Sequence, residues 1–169
     1  MFGINELDKI TLIPFRKNWQ KFQLGGTIKA GQGRMITKPV EILLVEDNAG
    51  DVLLVRQALA DERFPINLHI AVDGKQAVQI LAERHFHPDL VILDLNVPKI
   101  SGLSVLECSQ STIPFVVFSS SASPQDRRCA FELGAKDFVQ KPTDLEEYGH
   151  VVSRIVRNWA LPPANASAS

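Results

Sequence analysis

The sequence of 169 residues predicts an α/β fold, a doubly wound (βα)5 domain on a five-stranded parallel sheet. Three observations predict it. Short apolar runs recur at 41–45, 68–72, 90–93, 115–118 and 138–139, with the composition of strands covered on both faces. A capping residue and then apolar residues at helical spacing follow these runs. Most runs also end on groups that carry chemistry: Glu46-Asp47, Asp94, Ser119-Ser120 and Lys141.

Regular patterning begins at Val40, with the first strand at Glu41-Ile42-Leu43-Leu44-Val45. Asn48 is placed to cap a helix with Asp51 at its third position, and Val52, Val55 and Leu59 fall on one face of that helix. Leu68 to Val72 forms a second strand. Asp73 then caps a helix in which Gln76 completes a capping box. Leu90 to Leu93 is a third strand ending at Asp94, and Ser101 caps a short helix through Leu106. Phe115 to Phe118 is a fourth strand. Ser123-Pro124 opens a helix with proline in its first turn, and Gly134 closes it. Phe138-Val139 lie in a fifth strand. Thr143 and Glu146 form a capping box for the last helix, along which Leu145, Tyr148, Val152, Ile155 and Trp159 recur at helical spacing. Right-handed crossovers turn this pattern into a flavodoxin-like sheet of order 2-1-3-4-5, whose site lies beyond the carboxyl ends of the strands where the order reverses.

That layout gathers Glu46, Asp47, Asp94, Ser119, Ser120 and Lys141 at one rim. Carboxylates crowded together repel one another, and a hard divalent cation relieves the repulsion. Mg2+ suits one or two carboxylates, a carbonyl oxygen and several waters. Asp47 and Asp94 are the expected direct ligands, Glu46 acts through water, and the backbone carbonyl of Asn96 completes the protein set. An Asp94 oxygen held there can attack phosphorus. Lys141 supplies a point charge and Ser119 a hydroxyl to the phosphoryl oxygens.

Val45-Glu46-Asp47-Asn48, Asp94-Leu95-Asn96-Val97-Pro98, Pro114 through Ser120, and Phe138-Val139-Gln140-Lys141-Pro142 together resemble the response-regulator receiver domains of two-component systems, the CheY-like modules. The resemblance runs from residue 40 to about 159. It implies a phosphorelay in which a sensor histidine kinase phosphorylates Asp94 with Mg2+. It implies that Ser119 is the switch hydroxyl, Phe138 the switch aromatic and Lys141 the site lysine. Lys141-Pro142 looks like the family's cis peptide. The family's usual output and dimer surface is formed by the fourth helix, fifth strand and fifth helix, and its only catalysis is its own phosphoryl transfer and slow autodephosphorylation. The chain departs from the family pattern in three places: the stretch from Gly102 to Pro114 is about five residues short, Ser119 replaces the commoner Thr, and Phe138 replaces the commoner Tyr. No output domain follows in this sequence, so the expectation is a stand-alone regulator whose kinase and downstream target stay unnamed.

Rival functions fit less well. A haloacid-dehalogenase-type hydrolase wants a second Asp two residues after the nucleophile, where this chain has Asn96. A flavin or nucleotide site wants a phosphate-cradling loop after the first strand, where Glu46-Asp47 would repel phosphate. A receiver that signals without phosphate has no need of the full set of site residues. His69, His85, His87 and His150 show no ligand spacing.

Charge is uneven. Residues 1–38 hold seven Lys/Arg against Glu6 and Asp8, while residues 39–169 hold 11 basic and 17 acidic residues. The acidic part is a poor match for nucleic acid. No apolar run reaches the roughly 18 residues that span a membrane, and Cys108 and Cys129 fit two structural thiols of a reducing, cytoplasmic setting. The expected organisation is a basic, disordered N-terminal extension at 1–38, a receiver domain at 39–160, and a disordered tail at 161–169. A membrane- or partner-binding arm is the alternative for the extension, and Met35 offers an alternative translation start.

Overall fold

The computed structural model describes residues 11–13, 27–29, 35–36, 38–109 and 112–161. In chain order the elements are β1 (Thr11–Ile13), β2 (Ile28–Lys29), β3 (Met35–Ile36), β4 (Val40–Val45), α1 (Ala49–Ala60), β5 (Ile66–Ala71), α2 (Gly74–Leu81), β6 (Leu90–Leu93), α3 (Gly102–Cys108), β7 (Phe115–Ser119), α4 (Pro124–Glu132), β8 (Asp137–Gln140) and α5 (Leu145–Trp159). The main sheet has the order β1-β5-β4-β6-β7-β8. Its five parallel strands, β5-β4-β6-β7-β8, are the expected 2-1-3-4-5 arrangement.

The period-2 geometry of strands explains why this sheet is wound on both faces. Ile42 and Leu44, Ile92, Val116 and Phe118 point to one side and pack with Val55 and Leu59 of α1 and Val152, Ile155 and Val156 of α5. Leu43 and Val45, Val91 and Leu93, Phe115 and Val117 point to the other, against Ala77 of α2, Val105 and Leu106 of α3 and Ala130 of α4. Each fully buried Leu or Ile contributes about 1.5–3 kcal/mol of transfer free energy, so neither face can be left open to water.

The helix starts follow the capping residues read from the sequence, with two adjustments. The Asn48 side chain accepts from the Gly50 and Asp51 amides, Ser101 caps α3, and Ser123 caps α4 ahead of Pro124. Asp73 accepts the Gln76 amide, but the Gln76 side chain reaches one residue further back, to the Val72 amide at 2.8 Å. The last helix is not capped by Thr143 and Glu146: Asp144 accepts the Glu147 amide at 2.8 Å and the helix begins at Leu145. As its first residue, Leu145 is 68 % exposed and leaves the apolar stripe to Tyr148, Val151, Val152, Ile155 and Val156. Gly134 has φ +98° after α4, the left-handed turn that glycine adopts without steric cost.

The extension needs correction where it is described. Thr11–Ile13 pairs antiparallel with Ile66–Leu68 and adds a sixth strand to the sheet edge, Ile28–Lys29 pairs with Met35–Ile36, and Ile36 is buried in the core. Apart from Thr27 and Lys38, the remaining residues of 1–38 lie outside the described residues. So does the expected tail, except that Leu161 is buried on the α1/α5 side. Among the described residues no helix is long and apolar enough to cross a membrane.

Removing residues 1–34 opens the outer edge of β5 but keeps Ile36. Hydrogen exchange in the truncated chain should speed up across Ile66–Leu68 while Val40–Val45, flanked on both sides, stays protected. Unchanged exchange at Ile66–Leu68 would show that β1 does not hold this edge in solution.

Candidate functional site

β4 and β6 are adjacent parallel strands, with Val45 beside Leu93. Their next residues, Glu46 and Asp94, therefore leave the sheet side by side at the point where strand order reverses. The Glu46 amide is anchored to the Ala71 carbonyl and the Asp94 amide to the Val45 carbonyl. Ser119 and Gln140 are paired at the ends of β7 and β8, and the Lys141 amide bonds to the Ser119 carbonyl at 2.9 Å. That bond directs the Lys141 side chain back over the rim. The Lys141–Pro142 peptide is trans, which corrects the cis bond implied by resemblance.

The Lys141 ammonium is the hub. Its Nζ lies 2.6 Å from Glu46 Oε2, 2.7 Å from Asp94 Oδ2 and 2.7 Å from Asp51 Oδ2. Asp94 Oδ1 accepts the Ser119 hydroxyl at 2.7 Å and the Asn96 amide at 3.0 Å. Glu46 Oε1 accepts the Asn48 amide at 3.0 Å. Glu46, Asp94 and Ser119 are buried, whereas Asp47, Asn96 and Ser120 are exposed at the mouth. Asp47, Asp51, Asp94, Asn96, Ser120 and Lys141 border one open cavity of about 510 Å3. Sequence reasoning placed Asp51 only as a helix-start residue. Its signal was its place in the first turn of α1, just after the Glu46-Asp47 pair that follows β4.

The electrostatics favour an ionised Asp94. Burial pushes the Asp94 carboxyl up, but the Lys141, Asn96 and Ser119 hydrogen bonds outweigh it and hold Asp94 below its ordinary value. Glu46 is raised, because burial exceeds the help of Lys141. Burial lowers the Lys141 pKa, but Asp51, Asp94 and Glu46 reverse this and hold it well above the ordinary lysine value. The ammonium is therefore a fixed positive charge.

The loop after Asp94 is clamped from both ends. The Gly102 amide bonds to the Leu95 carbonyl, and a Cβ at Gly102 would meet the Asp94 carbonyl oxygen at 2.5 Å. At Gly74 a Cβ would meet the Ile100 carbonyl oxygen at 1.9 Å, so the α2 start presses directly on this loop. Lys99 is held at φ +66°, an uncommon conformation for a residue with a side chain. Its ammonium reaches the buried Asp73 carboxylate at 2.6 Å. That bond offsets the backbone strain and holds Asp73 below its ordinary pKa.

On the far side of β7, Phe118 underlies the hub, its ring centroid 6.0 Å from Lys141 Nζ. Tyr148 packs edge-on to it, with centroids 5.0 Å apart. The Tyr148 hydroxyl is buried and has no hydrogen-bond partner among the described residues, a condition that costs about 1–3 kcal/mol. Phe138 is buried opposite Val117, and Arg127 of α4 lies 5.5 Å over its ring and donates to its carbonyl at 2.9 Å. The ring is thus already inside while Ser119 bonds to Asp94. His69 is buried against Glu41, and His85, His87 and His150 are exposed away from the site.

Glu46, Asp47, Asp94 and the Asn96 carbonyl are all oxygen donors, the set that a hard cation takes. Among the described residues no group of three or more His, Cys, Asp or Glu is arranged to hold a metal ion, and the three carboxylates that converge do so on the Lys141 ammonium. Glu46 and Asp94 each turn an oxygen to Lys141 instead, while Asp47 borders the open cavity. The donors present at the mouth are of the type a hard divalent cation takes, and Asp47 and Asp94 would be the carboxylates to hold it there.

Residues 42–153 match the family model of the response regulator receiver domain. The response regulator MprA of Mycolicibacterium vanbaalenii is 33% identical over 112 residues, which are 64% of this chain and 47% of that protein. The transcriptional regulatory protein PrrA of Mycobacterium tuberculosis is 31% identical over 135 residues, 78% of this chain and 56% of that protein. The chain thus spans about half the length of these relatives. Among solved structures, the phosphorylated cyanobacterial phytochrome response regulator RcpA is similar with a TM-score of 0.69 and 32% identity, covering 74% of this chain and 99% of that one. The Mn2+-bound form of response regulator Rcp1 is similar with a TM-score of 0.67 and 30% identity, covering 78% and 98%.

Replacing the hub tests this geometry without any ligand. In Lys141→Met, Glu46 and Asp94 lose their ammonium, Glu46 keeps only the Asn48 amide and Asp94 the Asn96 amide and Ser119 hydroxyl, and removing one partner of a buried ion cluster costs about 3–5 kcal/mol. The Glu46 pKa then lies further above its unfolded value of 4.5, and that of Asp94 rises from its depressed position. The folded variant takes up protons first, so its stability should rise as pH falls from 7 towards 5. In the parent the raised Glu46 and the depressed Asp94 act in opposite senses. Glu46's cost is relieved as pH falls through its folded value above 4.5, and Asp94's contribution is lost below 3.8, which leaves a flatter profile above pH 5. Denaturant titrations at several pH values in a chelator measure the difference, and parallel profiles would contradict it.

Proposed function

The chain belongs to the response regulator receiver family, and from that premise we propose that it is a phosphorylation switch whose acceptor is Asp94. The observation that carries the reading is the environment of that carboxylate: buried, kept ionised, and bonded to an ammonium and a hydroxyl beside an open acidic cavity. A nucleophile already ionised needs no general base.

In the proposed step a sensor histidine kinase presents a phosphohistidine at the cavity. An Asp94 oxygen forms the new O–P bond, the P–N bond breaks, and the imidazole leaves with the electron pair. A bound Mg2+ supplies charge neutralisation and orients the phosphoryl oxygens. Asp47 and Asp94 are the proposed direct ligands, with Glu46 through water and the Asn96 carbonyl. The similar response regulator Rcp1 has a Mn2+-bound form, which supports a divalent cation in this reading. Lys141 turns its ammonium to one phosphoryl oxygen and Ser119 its hydroxyl to another. Ser119's departure from Asp94 loosens the β7 end beside Phe138, and the surface of α4, β8 and α5 responds. That surface is the proposed contact for a downstream protein or a second copy, with nucleic acid not among the partners. Beyond phosphoryl transfer to itself and its slow loss, no catalysis is proposed. Action as a stand-alone regulator is supported by the likeness to RcpA and Rcp1, whose chains are covered to 99% and 98%.

Two measurements test this. Intact mass after incubation with a small phosphodonor and Mg2+ should show one added phosphoryl group, absent in Asp94→Asn. Equal labelling of Asp94→Asn would overturn the assignment. Titrating Mg2+ against NMR shifts should show Asp47→Ala weakened by more than about tenfold and Ser119→Ala close to the parent. Equal affinities would remove Asp47 from the ligand set.

A further inference from the structure

An ammonium has three N–H donors, and those of Lys141 are fully committed, to Glu46, Asp51 and Asp94. A fourth acceptor at this site must displace one of them. The side chains of Glu46 and Asp94 are 3 % and 8 % exposed, that of Asp51 25 %. Water can solvate a released Asp51 most readily, so Asp51 is the partner that yields.

Close to it stands a donor without an acceptor. Tyr148, the chain's single tyrosine, lies in the first turn of α5, and α5 packs on α1, whose first turn carries Asp51. Its hydroxyl is buried with no partner among the described residues. Burial, and then the negative charge of Asp51, push the phenol well above its ordinary pKa. It is a donor at any physiological pH. Its ring packs edge-on to Phe118, the ring that underlies Lys141.

We propose that Tyr148 reads the state of the site by exchanging partners: when Lys141 turns from Asp51 to a phosphoryl group on Asp94, the Tyr148 hydroxyl donates to the freed Asp51 carboxylate. The exchange ties the first turn of α1 to the first turn of α5. It carries the event to the α1/α5 face of the sheet, independently of Ser119 and Phe138. The phosphoryl trigger rests on the acceptor reading given above; the exchange between Lys141 and Tyr148 does not.

With one tyrosine in the full-length chain, 13Cζ-tyrosine labelling gives one resonance. Fluorine NMR of beryllofluoride with Mg2+ reports separately whether Asp94 is occupied. On occupancy the Tyr148 resonance should move downfield in the parent, as a phenol does on donating a hydrogen bond, and stay in place in occupied Asp51→Ala. A parent resonance that stays in place, or an equal shift in both proteins, overturns the proposal. Lys141→Met frees Asp51 without any mimic, so its resonance should already be shifted, and restored in Lys141→Met/Asp51→Ala. If beryllofluoride fails to bind the parent, the acceptor reading falls and this last pair alone decides the exchange: a shift lost with Asp51 supports it, and no shift overturns it.

Discussion

The rest of the site depends on a single ammonium set among carboxylates. Without Lys141, Glu46 and Asp94 would be two buried negative charges at the ends of neighbouring strands, and the switch point would repel itself. With it, the three polar layers of the rim are joined: the first turn of α1 through Asp51, the ends of β4 and β6 through Glu46 and Asp94, and the end of β8 through Lys141 itself. Lys141 comes 95 residues after Glu46 and 47 after Asp94, so only the finished sheet brings them together. The chemistry of a receiver and the closure of its fold are here the same interaction.

The clamp on the loop after Asp94 serves a related need. A nucleophile must be exposed enough to meet its donor, yet its neighbours must stay fixed. Gly74 and Gly102 let backbone approach backbone at distances that a Cβ forbids, and the Lys99–Asp73 pair holds a strained residue in place. Asn96, whose amide bonds to Asp94 at 3.0 Å, lies within that clamped loop.

The strands and most helix starts were legible in the sequence because they depend on local rules. Ile42/Leu44 against Leu43/Val45 requires two covered faces, and Asn48, Asp73, Ser101 and Ser123 cap with their own side chains. Asp94, Ser119 and Lys141 were legible because each ends an apolar run. What escaped depends on distance in sequence. Asp51 reads as an ordinary helix-start acid until Lys141 is placed over it. The orphaned Tyr148 hydroxyl reads as one more member of an apolar stripe. Asp144 displaced Thr143 as a cap because the two differ by one residue, and both are capable. β1 was missed because three residues carry no period, and its partner strand is remote.

That remote pairing sets an order of events. Thr11–Ile13 leaves the ribosome early, yet the residues it pairs with, Ile66–Leu68, are made more than fifty positions later. They must first align beside Val40–Val45 to offer an edge. Closing so long a loop gains little until the parallel core exists. The earliest-made of the described strands therefore cannot pair until β4 and β5, made after it, lie side by side.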